Sequence, residues 1–359
     1  MLAEQDKLRY DRHIRLNEVG EQGQQKLLTA KVLVVGAGGL GCPVLQYLAA
    51  AGVGTIGVMD ADSISVSNLQ RQPLFATADI DKPKSTTAIQ FLEKLNPNIT
   101  FTDYPFYLQK ENALAIIEKY DIVVDCTDNF SARYLINDAC VLLNKPFVYG
   151  ALYKFEGQLS VFNYKGGATY RCLYPVPPNS DQVPNCSQIG VIGVLPALIG
   201  VMQATEVVKI IVELGTVLSG KLLTYDTLQN TQQIIKFSKS ENTVSELTDY
   251  NFSCTLANDN EILVAELKAW FATDKKFNLI DIRESYEREE YKLNDTHAIP
   301  MGALMTSLDK IDKQLPTVIY CQTGTKSKAV VGMLKKQDFT QIYSLVNGVH
   351  QWVSEEVNP

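Results

Sequence analysis

The stretch Lys31-Val-Leu-Val-Val-Gly-Ala-Gly-Gly-Leu-Gly41 decides the fold of the first half of the chain. Its apolar, largely β-branched run from Val32 to Val35 has the character of a strand buried in a parallel sheet. Gly36, Gly38 and Gly41 fit G-x-G-x-x-G at the end of that strand. The small-residue segment Leu40 to Ala51 reads as a helix. Ile56 to Met59 reads as a second strand, ending at Asp60. Glycines at such a turn let the backbone approach a phosphate, and the helix start supplies free N–H groups and positive potential. An acid ~20 residues past the turn, at a strand end, is placed to accept from ribose hydroxyls. The stretch therefore predicts a bound nucleotide.

NAD is the ordinary ligand of this fingerprint, but the residues after Asp60 call for a more highly charged one. Asp60-Ala-Asp-Ser-Ile-Ser-Val-Ser-Asn-Leu-Gln-Arg-Gln72 contributes Asn68 and Arg71, and Lys84 follows soon after. A triphosphate needs cations and metal where a pyrophosphate needs little beyond a helix N-terminus. Ile122-Val-Val-Asp-Cys-Thr-Asp-Asn129 is a further apolar strand, ending in Asp125 and Asp128. Ligands gather at the carboxyl ends of strands in a doubly wound sheet, which places Asp128 to hold Mg²⁺. The three histidines are His13, His297 and His350, none in the middle of this region. A hydride-transfer enzyme would have to borrow its acid or base from elsewhere. An NAD-dependent oxidoreductase stays the alternative.

Composition sets the frame. A chain of 359 residues has material for two domains. The net charge of −7 speaks against nucleic acid as a partner. The least polar run, Ile189 to Met202, contains Pro196 and three glycines. At ~14 residues it predicts a buried core helix, and no membrane association is expected. The polar N-terminal residues do not read as a signal peptide. Seven widely spaced cysteines, with no C-x-x-C pair, predict reduced thiols, a cytoplasmic location and no zinc site.

Along the chain, residues 1–30 read as a helical arm, and 31 to about 165 as alternating strands and helices of a parallel sheet. Tyr174-Pro-Val-Pro-Pro-Asn-Ser-Asp-Gln-Val-Pro184 is rich in turn formers and reads as a mobile loop leading to Cys186. Leu222 to Tyr225 and Gln232 to Phe237 read as a hairpin, and 238–257 as a linker. A second α/β unit begins near 258. Ile262 to Phe271 has helical periodicity, and Phe277 to Arg283 and Thr317 to Cys321 read as strands. Gln322-Thr-Gly-Thr-Lys-Ser327 then leads into a helix from Lys328 to Lys336. A cysteine between a buried strand and such a loop is a reactive arrangement, because loop N–H groups and the helix start lower a thiol pKa. Gly324 lets the loop curl, and Lys326 adds a cation. Cys42, Cys126 and Cys140 read as small buried hydrophobes. Cys186 has a flexible setting but no neighbour that activates it.

With these residues in hand, the chain resembles MoeB/ThiF-type adenylating enzymes, relatives of the ubiquitin activators. Its C-terminal part resembles a rhodanese domain, a combination similar to MoeZ-type sulfurtransferases. The motifs are Tyr10-Asp-Arg-His-Ile14, the turn Gly36 to Gly41, Ser67-Asn-Leu-Gln-Arg71, Lys84, Cys126-Thr-Asp-Asn129, and Tyr170-Arg-Cys172 followed by Cys186. In the second unit they are Asp281-Ile-Arg-Glu284, Cys321 to Ser327, and Asn347-Gly-Val-His-Gln-Trp352. The resemblance implies an α/β chain. A Rossmann-like adenylation domain would span 1–237, a linker 238–257, and a smaller α/β rhodanese-like domain 258–359.

The resemblance also implies roles. Gly36, Gly38, Gly39 and Gly41 would contact ATP, and Asp60 its ribose. Ser67, Asn68, Arg71 and Lys84 would hold the phosphates, with Asp128 and Asn129 on the Mg²⁺ side. Arg12 would reach the nucleotide of a second protomer, which implies a homodimer. Cys186 would form a covalent link to the substrate in some relatives, and Cys321 would carry a persulfide. The substrate implied is the C-terminal Gly-Gly carboxylate of a ubiquitin-like sulfur-carrier protein, with sulfur from a persulfide or thiosulfate donor. A rhodanese-like module that only docks partners, with a silent thiol, is a further alternative. Many relatives bind structural zinc through two C-x-x-C pairs. Here only Cys172 remains of the first, with Pro175 in its partner's place, and the second is missing from 236–250. Zinc is therefore not expected.

Overall fold

A computed structural model describes residues 2–177, 190–240, 244–248, 260–273, 275–288, 291, 293–337, 339 and 341–357. The chain divides into two compact units, residues 1–250 and 251–359. The predicted linker, 238–257, and the loop around Cys186 fall largely outside the described residues.

The first unit opens with three helices, α1 (Glu4–Arg9), α2 (Asp11–Ile14) and α3 (Gly20–Thr29). The alternation read from the sequence follows: β1 (Lys31–Val35), α4 (Gly41–Ala51), β2 (Thr55–Met59), α5 (Lys84–Leu95), β3 (Thr100–Tyr104), α6 (Lys110–Ile117), β4 (Ile122–Asp125), α7 (Phe130–Leu142) and β5 (Phe147–Tyr153). These five strands are parallel in the order β3-β2-β1-β4-β5. Val32 to Val35 are buried, as a strand covered on both faces requires. The chain then passes through β6 (Glu156–Phe162), α8 (Tyr170–Leu173), α9 (Val194–Val212), β7 (Lys221–Asp226) and β8 (Thr231–Lys236). Strands β6, β7 and β8 add to the sheet antiparallel, beside β5. The all-parallel reading of 31–165 is thus corrected at β6. A tight β5–β6 hairpin reverses the chain, because no crossover helix separates those strands.

The apolar run is also corrected. Its helix, α9, starts at Val194 and continues to Val212, 19 residues in all. By length and composition it could cross a membrane. In this fold Leu195, Ile199, Gly200, Gln203 and Val207 are buried, and most of them join the core of the first unit. Gln203 lies wholly inside, where its Nε2 donates to the Asp125 carbonyl at 2.8 Å. Gly200 sits against α4: a Cβ there would lie 2.6 Å from the Leu40 carbonyl oxygen.

The second unit comprises β9 (Glu261–Ile262), α10 (Val264–Phe271), β10 (Asn278–Asp281), β11 (His297–Ala298), α11 (Met301–Leu304), β12 (Thr317–Tyr320), α12 (Thr325–Leu334), β13 (Ile342–Leu345) and α13 (Gly348–Val357). Its sheet is parallel throughout, in the order β11-β10-β12-β13-β9. The predicted helix from Ile262 gives way at its start to β9, because Glu261 and Ile262 pair with Ser344 and Leu345. The helix after the cysteine loop begins at Thr325, three residues earlier than predicted.

Close packing of α9 on α4 gives a direct expectation. Gly200→Ala forces its methyl against Pro43 and Leu40 and should cost about 1–3 kcal/mol, as overpacking does. A lower urea midpoint with an unchanged slope would register it. An unaltered midpoint would disprove the contact.

Candidate functional site

The register places the first site. Val35 of β1 lies level with Met59 of β2 and Asp125 of β4. Gly36, Asp60 and Cys126 therefore leave the sheet side by side. The Gly36 N–H donates to the Met59 carbonyl, and the Cys126 N–H to that of Val35. Strands are added outward from β1 in opposite directions, β2 and β3 on one side and β4 and β5 on the other, which makes this edge a topological switch point.

The glycine turn is demanded by contact. Gly36 has φ +100°, and its Cβ would lie 2.7 Å from the Cys126 carbonyl oxygen. A Cβ at Gly41 would overlap the Gly36 carbonyl oxygen. Gly38 differs: the nearest atom to its Cβ is Gln72 Nε2, at 3.6 Å. Protein packing therefore leaves space at this position of the turn. Gly39 lies near Pro196 and the Arg71 side chain, which brings Arg71 to the turn.

Asp60 braces the turn. One carboxylate oxygen accepts from the Ala37 N–H (2.7 Å) and the other from the Asp62 N–H (2.9 Å). Burial pushes its carboxyl up, against the opposing pull of Lys84 and of these N–H groups. Lys84 begins α5, is buried, and donates to Asp62 at 2.7 Å. The other Asp62 oxygen accepts from the Tyr107 hydroxyl at 2.7 Å. Burial alone would raise the Asp62 carboxyl, but the bonds from Lys84 and Tyr107 outweigh it and hold it below the usual range. Tyr107 is pushed up to about 12, first by its bond to Asp62, then by burial and by the charges of Asp62, Asp60 and Asp128.

The remaining residues of the motif shape the loop between β2 and α5. Asn68 accepts from the Ser65 N–H, Ser67 meets the Ser65 hydroxyl, and Arg71 Nη1 donates to the Ser67 carbonyl at 2.9 Å. Asn129 caps α7 by accepting from the Ala132 N–H. Asp128 is exposed beside them. Asp125 is fully buried; its Oδ1 accepts from Thr127, and burial pushes its carboxyl up. Arg12, on α2, is exposed. Cys186 lies outside the described residues. Sequence reasoning missed two members of the cluster. Asp62 sits in the quoted motif but was passed over for Asp60. Tyr107 carried no signal, since it follows β3, a strand the reading did not mark.

The sulfur of Cys321 marks a second site. Cys321 follows β12 and is buried, with its Sγ 3.6 Å from the Ser327 hydroxyl. Ser327 is held by the Gly324 carbonyl (2.9 Å) and the Ser344 hydroxyl (2.8 Å). With α12 starting at Thr325, the positive end of a helix comes within a few residues of the thiol. A Cβ at Gly348, whose φ is +60°, would overlap the Cys321 carbonyl oxygen, so α13 starts hard against the loop. Arg283 forms a fork on Asp281, with contacts of 2.8 to 3.2 Å, and reaches Gln322 at 2.9 Å. The cation Lys326 pairs with Glu287 at 2.9 Å.

Cys172, the one cysteine left of the expected C-x-x-C pair, lies on α8. Its sulfur accepts from the N–H groups of Thr169 and Ser240, both at 3.3 Å, and meets the Thr169 hydroxyl at 3.4 Å. Burial pushes this thiol up, but the Ser240 and Thr169 donors outweigh it and hold it below the usual range. The sulfur thus ties the segment after β8 to α8 by hydrogen bonds. Among the described residues, no three His, Cys, Asp or Glu side chains cluster as a metal site would.

Fold and sites together define a nucleotide-type α/β unit joined to a small parallel α/β unit that presents a cysteine loop. The ThiF family model matches residues 10–246 and that of the rhodanese-like domain matches 263–355. The probable adenylyltransferase/sulfurtransferase MoeZ of Mycobacterium tuberculosis is 38% identical over 370 residues, covering 99% of this chain and 94% of its own. The sulfur carrier protein adenylyltransferase of Thermus thermophilus is 47% identical over 261 residues, covering 69% of this chain and 96% of its own. Among solved structures, E. coli MccB shares the fold with a TM-score of 0.59 at 23% identity, over 67% of this chain and 72% of that one. The chain belongs to the ThiF family and carries a C-terminal rhodanese-like domain. It is an enzyme of the adenylyltransferase and sulfurtransferase kind.

The Arg283–Asp281 pair is 1% exposed on both sides. Arg283→Met strands a buried carboxylate and should cost about 3–5 kcal/mol. Both tryptophans, Trp270 and Trp352, lie in the second unit, so tryptophan fluorescence in denaturant follows that unit alone. An unshifted tryptophan transition would disprove the expectation.

Proposed function

We propose that this enzyme adenylylates the C-terminal Gly-Gly carboxylate of a ubiquitin-like sulfur-carrier protein and then converts it to a thiocarboxylate. One observation carries the reading. Asp60 braces a glycine turn that leaves room at Gly38, Arg71 reaches the same turn and the charge of Lys84 acts on Asp60, in a chain whose second unit sets Cys321 at the head of a loop. The names of the relatives agree with it.

In the first step a carboxylate oxygen attacks the α-phosphorus of ATP, and pyrophosphate leaves with the electron pair of the broken P–O bond. Asp60 has lone pairs left for ribose hydroxyls beyond the two N–H groups it already accepts. Gly36, Gly38, Gly39 and Gly41 line the phosphates. Lys84 and Arg71 offset their charge, and Ser67 and Asn68 hold Arg71 and the loop in place. An exposed carboxylate suits a hard cation, so Asp128, with Asn129 beside it, is the residue that would hold Mg²⁺; when bound, the ion offsets phosphate charge. Arg12 is exposed and serves the site of a second protomer in a homodimer.

In the second step the outer sulfur of a Cys321 persulfide attacks the acyl carbon, and AMP leaves. A thiol reductant then splits the resulting acyl disulfide, releasing the thiocarboxylate and restoring the Cys321 thiol. In the alternative order Cys186 takes the acyl group first as a thioester with loss of AMP, and the persulfide then displaces the Cys186 thiolate. An upstream persulfide or thiosulfate supplies the sulfur. With Pro175 in place of a partner for Cys172 and no cysteine in 236–250, the reading includes no zinc, and the widely spaced cysteines fit a cytoplasmic setting.

The wild-type chain should exchange pyrophosphate into ATP only when a Gly-Gly-ended carrier is present. Absence of exchange with every such carrier of the same genome would sink the reading. Cys321→Ala should keep exchange and lose thiocarboxylate, read by mass spectrometry of the carrier. Gly38→Ala should keep stability within about 1 kcal/mol yet lose thermal stabilisation by ATP–Mg²⁺. Stabilisation of the wild type by NAD but not by ATP–Mg²⁺ would point to an oxidoreductase instead.

A further inference from the structure

Lys84 opens α5 with its side chain 7% exposed. An ammonium this deep needs a counter-charge. Asp62 supplies it and holds the lysine at both ends: its carboxylate accepts from Nζ at 2.7 Å, and its carbonyl accepts from the Lys84 N–H at 2.9 Å. The neighbouring Asp60 is committed elsewhere, to the N–H groups of Ala37 and Asp62. The second Asp62 oxygen is held at 2.7 Å by the hydroxyl of Tyr107, which comes from the loop after β3. Tyr107, Asp62 and Lys84 thus form one hydrogen-bonded chain, drawn from the ends of two neighbouring strands and the start of a helix.

Taking the reading above that Lys84 serves the phosphates of ATP, we propose that Asp62 and Tyr107 are positioning residues that park the Lys84 ammonium in the nucleotide-free enzyme and hand it to the triphosphate. A phosphate that enters competes with Asp62 for one cation. When Lys84 turns to the phosphate, Asp62 becomes a carboxylate without its cation, standing close to an anion. The Tyr107 hydroxyl steadies it at that moment, and the half-exposed side chain of Asp62 lets water do the rest. Asp62 is held in its charged form, and Tyr107, pushed up to about 12, keeps its proton near neutrality and so acts as the donor. The arrangement keeps a buried cation in position without a ligand and makes its release easier. Removing the Tyr107 hydroxyl leaves Asp62 with Lys84 as its main partner, so the carboxylate grips the ammonium harder.

Calorimetric titration of the full-length chain with ATP–Mg²⁺, and separately with adenosine, tests the hand-over. Tyr107→Phe should weaken ATP–Mg²⁺ binding about tenfold, the scale of one hydrogen bond to a charged group. Adenosine has no phosphate and should bind Tyr107→Phe as it binds the wild type. Asp62→Asn removes the competitor and should tighten ATP–Mg²⁺ binding, and adding Tyr107→Phe to it should change affinity less than twofold. In carrier-dependent exchange, Tyr107→Phe should raise KM for ATP and leave kcat within twofold. Equal loss of ATP and adenosine binding in Tyr107→Phe would mean a merely structural role and overturn the proposal. So would an unchanged ATP affinity, or a Tyr107→Phe effect of the same size with and without Asp62. Lys84→Met with wild-type ATP affinity would overturn the phosphate role of Lys84 itself. The more exposed Tyr107 variant keeps the test decisive if Asp62→Asn fails to fold.

Discussion

The first unit depends on one close contact: the Gly36 carbonyl oxygen lies where a side chain at residue 41 would begin. Only a turn free of side chains at both positions lets β1 end and α4 begin within that space. The contact sets α4 against the sheet, and α9 then packs against α4 at Gly200. It also brings the Ala37 N–H to the Asp60 carboxylate at 2.7 Å. The turn, the acid and the two layers of helix and sheet are therefore a single arrangement.

Around that turn the carboxylates divide the work. Asp60 braces the backbone, Asp62 holds the buried lysine, Asp125 is sealed under the edge, and Asp128 faces solvent. Their spacing in sequence suggests a row of equivalent acids; their partners make each one different. The second unit solves a related problem with other parts. A strand end, a cysteine and a helix start meet there as well, with Gly348 bringing α13 against the loop and the Arg283–Asp281 pair bracing its first residue through Gln322.

Much of this was legible because it rests on local signals. The Val32–Val35 run, the glycine spacing, Asp60 and the Thr317–Cys321 strand each declare themselves within a few residues. What escaped rests on distant ones. The antiparallel β6 looked like one more strand of an alternating series, since partner direction is not written in a strand. Residues Glu261 and Ile262 became β9 because Ser344 and Leu345 lie beside them. Cys172 reads as a remnant and proves to be a hydrogen-bonded tie to Thr169 and to Ser240, the latter 68 residues onward from the cysteine.

By itself the sequence determined the strand–turn–helix unit, the acids and cations that make a charged ligand site, and the cysteine loop, because each is carried by neighbours whose backbone geometry is short-range. Tertiary structure alone decided which of those groups meet. Lys84 and Tyr107 both turn to Asp62, from 22 and 45 residues away, because parallel strands bring their carboxyl ends to one edge. Such pairings follow from the order of strands in the sheet, and that order is set by burial of apolar surface over the whole unit, which no local stretch encodes.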